Sequence, residues 1–299
     1  VHLVTDFPRL GRKLWQRLTT RSSSNFMFAF LFLGPEQRAA LKQVYEFCRV
    51  VDDIVDERRP GPKGEEDARA ALGEWSREIA RMYGDAYVDD DPPYTELGRS
   101  LATSIRTFHF PREAFDEILA GVTMDLERLT YPDMEALRLY CHRVASCVGL
   151  LCIAIFGDQS EAARRYAQHL GLALQFTNIL RDIGEDAARG RVYLPLDLLA
   201  RHGLSLEDVL ASRYDGRFVA VTSDLADAAE REYRHAWDAL RATNKRALLP
   251  AEIMGRTYYE ILQEIRARNF NVFTRRASLR RRDKLRVAAL AIARVGLPV

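Results

Sequence analysis

Cysteine is scarce in this 299-residue chain, and it is unpatterned. Cys48, Cys141, Cys147 and Cys152 lie inside apolar stretches, with no CxxC pair and no Cys/His metal spacing. That excludes a disulfide scaffold and reads as reduced packing residues in a cytoplasmic protein. An excess of one charge is also lacking. Lysine and arginine number 44 against 42 aspartates and glutamates, a net charge of +2, so the average says nothing about nucleic acid, and no nucleic-acid partner is expected. No 18-residue uncharged apolar run occurs, so no membrane-spanning helix is expected, and the N-terminus lacks a signal-peptide core. Strict alternation of apolar and polar residues is missing, which argues against strands. A dinucleotide fingerprint of the G-x-G-x-x-G type is missing too.

What is present is helical period almost throughout, with 47% hydrophobic residues to build a core. Gly34-Pro35 opens a helix that runs to about Glu57, and Arg59–Pro62 is a loop. A helix is expected near 65–83, a loop at Asp89–Pro93, and a helix from Pro111 to about Arg128. No helix is assigned between 93 and 111. Asp133 is placed as the N-cap of a helix reaching Phe156, and Ser160 starts a long helix to about Asp186. Gly190–Pro195 reads as a structured loop. Helices near 205–211, 218–243 and 251–267 follow, then a basic terminal helix. Connections are short and no linker shows. The expectation is one all-α domain over residues 1–299, with a core at 20–275 and a basic helix at 276–299.

Two segments break the apolar pattern. Asp52-Asp53-Ile54-Val55-Asp56 and Asn178-Ile179-Leu180-Arg181-Asp182-Ile183-Gly184-Glu185-Asp186 put carboxylates inside otherwise apolar helix, where they are expensive unless a cation meets them. Residues four apart share a helix face. Tyr45, Arg49, Asp52 and Asp56 therefore make one stripe, and Asn178, Asp182 and Asp186 a second, with Gln175 one turn before it. Hard oxygen ligands at that spacing suit Mg²⁺, which shares its shell with phosphate oxygens. Arg49 and Arg181 suit phosphate recognition as well as charge balance. Acids four apart also decorate solvated helix faces, and Arg181 pairing with Glu185 is the plainer alternative. The apolar neighbours Val50, Val51, Ile179, Leu180 and Ile183, and the repetition of Asp-x-x-x-Asp beside an arginine, favour the cage.

Cys48-Arg49-Val50-Val51-Asp52-Asp53-Ile54-Val55-Asp56-Glu57 resembles the first aspartate-rich motif of the squalene/phytoene synthase family, and Leu174–Pro195 resembles the second. The resemblance implies the isoprenoid synthase fold, a single large helical domain around a central cavity, and head-to-head condensation of two prenyl diphosphates. It implies two or three Mg²⁺ ions held by Asp52, Asp56, Asn178, Asp182 and Asp186. Catalytic roles would fall to Asp52, Asp56, Asp182, Asp186 and Tyr140. Substrate contacts would come from Ser22, Ser23, Ser24, Asn25, Tyr45, Arg49, Gln175, Arg181, Arg191, Tyr193, Tyr258 and Arg275. Ser146 departs from the glycine usual after Val-Ala in the family, and is expected to tighten a helix contact.

Within the family, Asn25–Leu33 and the full Asn178–Asp186 motif look most like bacterial presqualene diphosphate synthases of the hopanoid pathway. Phytoene and dehydrosqualene synthases share nearly all of the motif and stay open as alternatives. So does reduction onward to squalene, since the family binds NADPH without a Rossmann fingerprint; NADPH is possible but not indicated. A class I terpene cyclase and a non-catalytic assembly factor are rivals of other kinds. Phe26, Phe28, Phe30, Tyr45, Tyr140 and Phe176 are candidates to shield a carbocation, though core packing is the plainer role for any one Phe. Released pyrophosphate or a tyrosine would accept the proton, and His142 is read as structural. Arg275–Arg286, followed by an apolar run, is either a peripheral contact with an anionic membrane or a solvated helix. Oligomeric state is left open.

Overall fold

The computed structural model describes residues 33–84, 92–127 and 129–295. The described residues are helical, and their one extended pairing is an isolated parallel bridge between Thr130 and Val192. Helix α1 spans Pro35–Asp56, α2 Pro62–Tyr83, α3 Glu96–Phe108 and α4 Arg112–Glu127. Helix α5, Met134–Cys141, passes through a π turn at His142–Ser146 into α6, Cys147–Phe156. Helix α7 spans Glu161–Ala188, followed by short α8 (Leu196–Arg201) and α9 (Leu206–Leu210). Helix α10 spans Gly216–Leu240, α11 Leu249–Ala267 and α12 Arg281–Val295.

Local chemistry sets the ends. Pro35 occupies the first turn of α1, and Gln37 Oε1 accepts from Gly34 N at 2.9 Å. Asp133 Oδ1 caps α5 by accepting from Ala136 N at 2.8 Å, and Ser160 Oγ caps α7 by accepting from Ala163 N at 3.2 Å. Gly157, at φ 88°, ends α6 in the left-handed region.

Two elements differ from the sequence reading. Helix α3 fills the stretch left unassigned. It is capped by Thr95, and buried Glu78 of α2 accepts from Tyr94 N, Thr95 N and Thr95 Oγ at 2.7–2.9 Å. A carboxylate from another helix thus anchors its start, which no local pattern announces. The helix expected from Asp133 to Phe156 is interrupted by the π turn. There Ser146 is fully buried against α7, and its Oγ donates to the Gln168 carbonyl at 2.7 Å. A Cβ at Gly171 would stand 2.5 Å from Ser146 Cα, so Gly171 admits this close approach. Ser146, where the family usually has glycine, thus adds a side-chain hydrogen bond to α7.

One hydrophobic core runs from Leu33 to Ala277, and a small second cluster joins Leu249 and Ile253 of α11 to Ala288 and Ala291 of α12. The π-interrupted segment Met134–Phe156 is long and apolar enough to cross a membrane by length and composition. Its Leu137, Tyr140, Cys141, Leu151, Cys152, Ile153 and Ile155 are core residues, which accounts for that apolarity. All four cysteines are free. Burial pushes the thiols of Cys147 and Cys152 up to about 12, so both stay protonated and inert.

Candidate active site

The C-terminal parts of α1 and α7 carry the two acidic segments, and the 190–197 loop joins them. Arg191 Nη1 donates to Asp56 Oδ1 at 2.8 Å across 135 residues of sequence. The loop is pinned beside the start of α5. Val192 N donates to the Leu129 carbonyl at 3.1 Å and Leu196 N to the Tyr131 carbonyl at 2.9 Å. Tyr193 is thereby laid against Tyr131 and Tyr140, with ring centroids 5.8 and 5.4 Å away.

These tyrosines converge on an acid that the sequence reading missed. Asp125 of α4 accepts from Tyr140 Oη at 2.8 Å and Tyr193 Oη at 2.9 Å, one phenol on each oxygen. Its signal was available: Ile118, Val122 and Asp125 lie on one face of an apolar helix. Burial raises the Asp125 carboxyl, against the two phenol donors and Arg191. Tyr140 is fully enclosed, and burial lifts its phenol far above the ordinary range, with Asp125 adding to the rise. Tyr140 is therefore a proton donor to Asp125. A tyrosinate base at this position would carry a buried, uncompensated charge.

Along α1, Arg49 Nη2 pairs with Asp53 Oδ1 at 2.6 Å, which leaves Asp52 and Asp56 facing the loop and Asp125. Asp52 keeps solvent access at the rim, yet protein surrounds most of its carboxyl. Burial pushes it up to about 7, opposed by Arg49 and reinforced by Asp125, Asp56 and Asp53. Half-buried Tyr45 lies in the same field, its phenol raised by burial and lowered by Arg49.

Along α7, Asp182 receives two guanidiniums. Arg181 contacts it through Nε at 2.9 Å and Nη2 at 2.7 Å, and Arg276 through Nε at 2.7 Å and Nη2 at 3.0 Å. Burial alone would raise Asp182, but the two arginines outweigh it and hold it below the usual range. Arg181 thus pairs with Asp182 and not with Glu185, and it lies over the Tyr258 ring, 5.7 Å from the centroid. Arg275 is exposed, and its neighbour Arg276 is the one that enters the site. Among the described residues Asp186 has no such hydrogen-bonded guanidinium, and burial pushes it up to about 7, with Asp182 reinforcing and Arg189 and Arg191 opposing.

The residues fit a hard cation on one further observation. Asn178 Nδ2 donates to Gln175 Oε1 at 3.3 Å, while Asn178 Oδ1 is buried and meets no donor. A buried acceptor without a donor is uncommon. One turn on from it lies Asp182, and two turns on Asp186, all oxygen donors on one face. Phe176 is fully buried in the core, which matches its plainer reading. Ser22, Ser23, Ser24, Asn25, Phe26, Phe28 and Phe30 lie outside the described residues. A hollow of about 380 Å³ lies between α2 and α4 and is lined by Arg69 and Asp116. It is not the acidic site; a far smaller one touches Asp186, Arg191 and Tyr193. Among the described residues, one His/Glu group also has ligand atoms close enough to hold a single ion: His169, Glu232 and His235.

An all-α bundle with acidic segments on two helices, joined by arginines and a tyrosine cluster, is the isoprenoid synthase fold. Solved structures agree. A dehydrosqualene synthase in complex with ligand superposes with TM-score 0.79 at 24% identity, covering 94% of each chain. Squalene synthase HpnC from Alicyclobacillus acidocaldarius superposes with TM-score 0.74 at 29% identity, covering 87% of this chain and 94% of that one. The squalene/phytoene synthase family model matches residues 19–283, and the chain belongs to that family of head-to-head prenyltransferases. It is 40% identical to the presqualene diphosphate synthase of Rhodopseudomonas palustris over 83% of this chain and 85% of the relative. It is 33% identical to the 15-cis-phytoene synthase of Synechocystis over 89% of this chain and 79% of the relative.

Proposed function

We propose that this enzyme condenses two farnesyl diphosphates head to head into presqualene diphosphate, releasing pyrophosphate and one proton. The observation that carries the cage is the buried, donorless Asn178 Oδ1 in line with Asp182 and Asp186, facing a loop tied to Asp56. The product assignment is supported by the 40% identity to a presqualene diphosphate synthase over most of both chains.

Asp52, Asp56, Asn178, Asp182 and Asp186 would hold Mg²⁺, which when bound neutralises the charge that develops on a departing diphosphate. Arg49, Arg181, Arg191 and Arg276 are the cations available to diphosphate oxygens. Each is now paired with a carboxylate, so substrate entry exchanges partners and does not bury a bare charge. Tyr45, Gln175, Tyr193 and Tyr258 would contact substrate. Ser22, Ser23, Ser24, Asn25 and Arg275 remain proposed substrate contacts on the resemblance alone. Allylic ionisation leaves a carbocation, the double bond of the second chain attacks it, and proton loss closes a cyclopropane. The stacked faces of Tyr131, Tyr140 and Tyr193 supply π density and exclude water. Burial raises the phenols of Tyr140 and Tyr193, which favours released pyrophosphate over a tyrosinate as the proton acceptor.

We also propose peripheral membrane contact. Helix α12 buries Val287, Ala288 and Ala291 and exposes Leu285 and Leu290 beside Arg282 and Arg286. Exposed leucines flanked by arginines suit an anionic lipid surface.

The test is incubation with farnesyl or geranylgeranyl diphosphate and Mg²⁺, with and without NADPH, and products identified by mass. Asp52→Ala and Asp182→Ala should each abolish turnover with helicity intact by circular dichroism. Retained turnover in either contradicts the metal assignment.

A further inference from the structure

Glu232 and His235 stand one turn apart on α10, and His169 faces them from α7. One ligand atom from each lies within 4.8 Å of the others. Their helices make the most extensive helix–helix contact in the described structure, so the backbone positions are fixed before any ion arrives. His169 Nδ1 is 2.7 Å from Glu232 Oε2, and the His169 and His235 rings meet edge to face with centroids 5.1 Å apart. Glu232 is buried, His169 is half-buried and His235 is exposed, so the cluster opens to solvent on one side.

The diphosphate chemistry does not use this cluster. His169 precedes Asp182 by thirteen residues on α7, which places it about 20 Å away along the axis and on nearly the opposite face. The donor set differs as well. Two imidazoles and one carboxylate, with room for water, suit borderline divalent transition ions such as Zn²⁺, Co²⁺ or Ni²⁺. Mg²⁺ prefers oxygen donors throughout.

We propose that His169, Glu232 and His235 form a second metal site, selective for a transition-metal dication, that staples α7 to α10. Arg138 Nη1 holds the other carboxylate oxygen, Glu232 Oε1, at 2.8 Å. It acts as the outer-shell partner that orients a ligating carboxylate. Its positive charge also makes the site weaker than a closed structural zinc site. The small displacement needed to close the triad falls on His235, the exposed member.

The experiment is isothermal titration of tag-free, full-length enzyme with ZnCl₂ in buffer saturated with Mg²⁺, alongside Co²⁺ titration followed by visible absorption. The expected result is one equivalent of Zn²⁺ bound despite excess Mg²⁺, a Co²⁺ spectrum showing nitrogen ligation, and a raised Tm. His235→Ala should weaken Zn²⁺ at least tenfold while leaving Mg²⁺-dependent turnover and helicity unchanged. Asp182→Ala should retain Zn²⁺ binding. Unchanged Zn²⁺ affinity in His235→Ala, loss of binding in Asp182→Ala, or no saturable binding at all would each overturn the site. The last outcome leaves His169, Glu232 and Arg138 as an ion-pair network only.

Discussion

At the residue scale, the candidate site is a set of charges that compensate one another. Asp125 is held by the phenols of Tyr140 and Tyr193. A hydrogen bond to a charged group is worth about 1.5–3 kcal/mol, so Tyr193→Phe should lower stability by about that much and, by loosening Asp125, lower kcat as well. Steady-state kinetics would check this, and an unchanged kcat would reduce Asp125 to a structural acid. Arg276 is the counterpart on Asp182, where its guanidinium would compete with the proposed Mg²⁺. Arg276→Gln should therefore tighten Mg²⁺ binding several-fold by titration calorimetry. The acidic stripes were legible in the sequence because carboxylates inside apolar helix violate the expected pattern. Asp125 was passed over because it stands alone, without a second acid one turn away. Arg276 was passed over because adjacent arginines cannot be told apart without knowing which way the loop turns.

At the element scale, the contact of the π turn with α7 sets the path from Tyr140 to the core. Gly171→Ala would press a methyl into the Ser146 backbone, and overpacking of this kind costs about 1–3 kcal/mol. A lower urea midpoint would register it. Asp158 is a second element-scale device. Its carboxylate accepts from Ser160 N at 3.0 Å and Asn244 N at 2.7 Å, tying the start of α7 to the turn after α10. Burial pushes its pKa up, but these hydrogen bonds outweigh that and the net value is lowered. A carboxyl depressed in the folded state adds stability that is full above the unfolded value near 4 and is lost as pH falls through the folded value. Asp158→Ala should therefore lower Tm at neutral pH and weaken its decline below about pH 4, as thermal scans across pH would show. Helices with local caps, such as those started by Asp133 and Ser160, were readable from sequence. Helix α3 and the π turn were not, because Glu78 and Ser146 act on them from other elements.

At the scale of the whole molecule, the proposed reaction asks the chain to ionise a charged diphosphate and accommodate very apolar products. Helix α12 packs on α11 by one face and presents Leu285 and Leu290 on the other, the face proposed to meet the membrane. Replacing both leucines with glutamate should reduce co-sedimentation with anionic vesicles while leaving turnover of detergent-dispersed substrate intact. The all-α architecture followed from periodicity alone. The meeting of α1 with α7 did not, because Arg191 and Asp56 are joined only by the fold. The most direct test of the account is the mass of the product formed from farnesyl diphosphate and Mg²⁺ by the purified enzyme. Presqualene diphosphate and pyrophosphate, both lost in Asp52→Ala and Asp182→Ala, are the predicted result. No product from either farnesyl or geranylgeranyl diphosphate would contradict it.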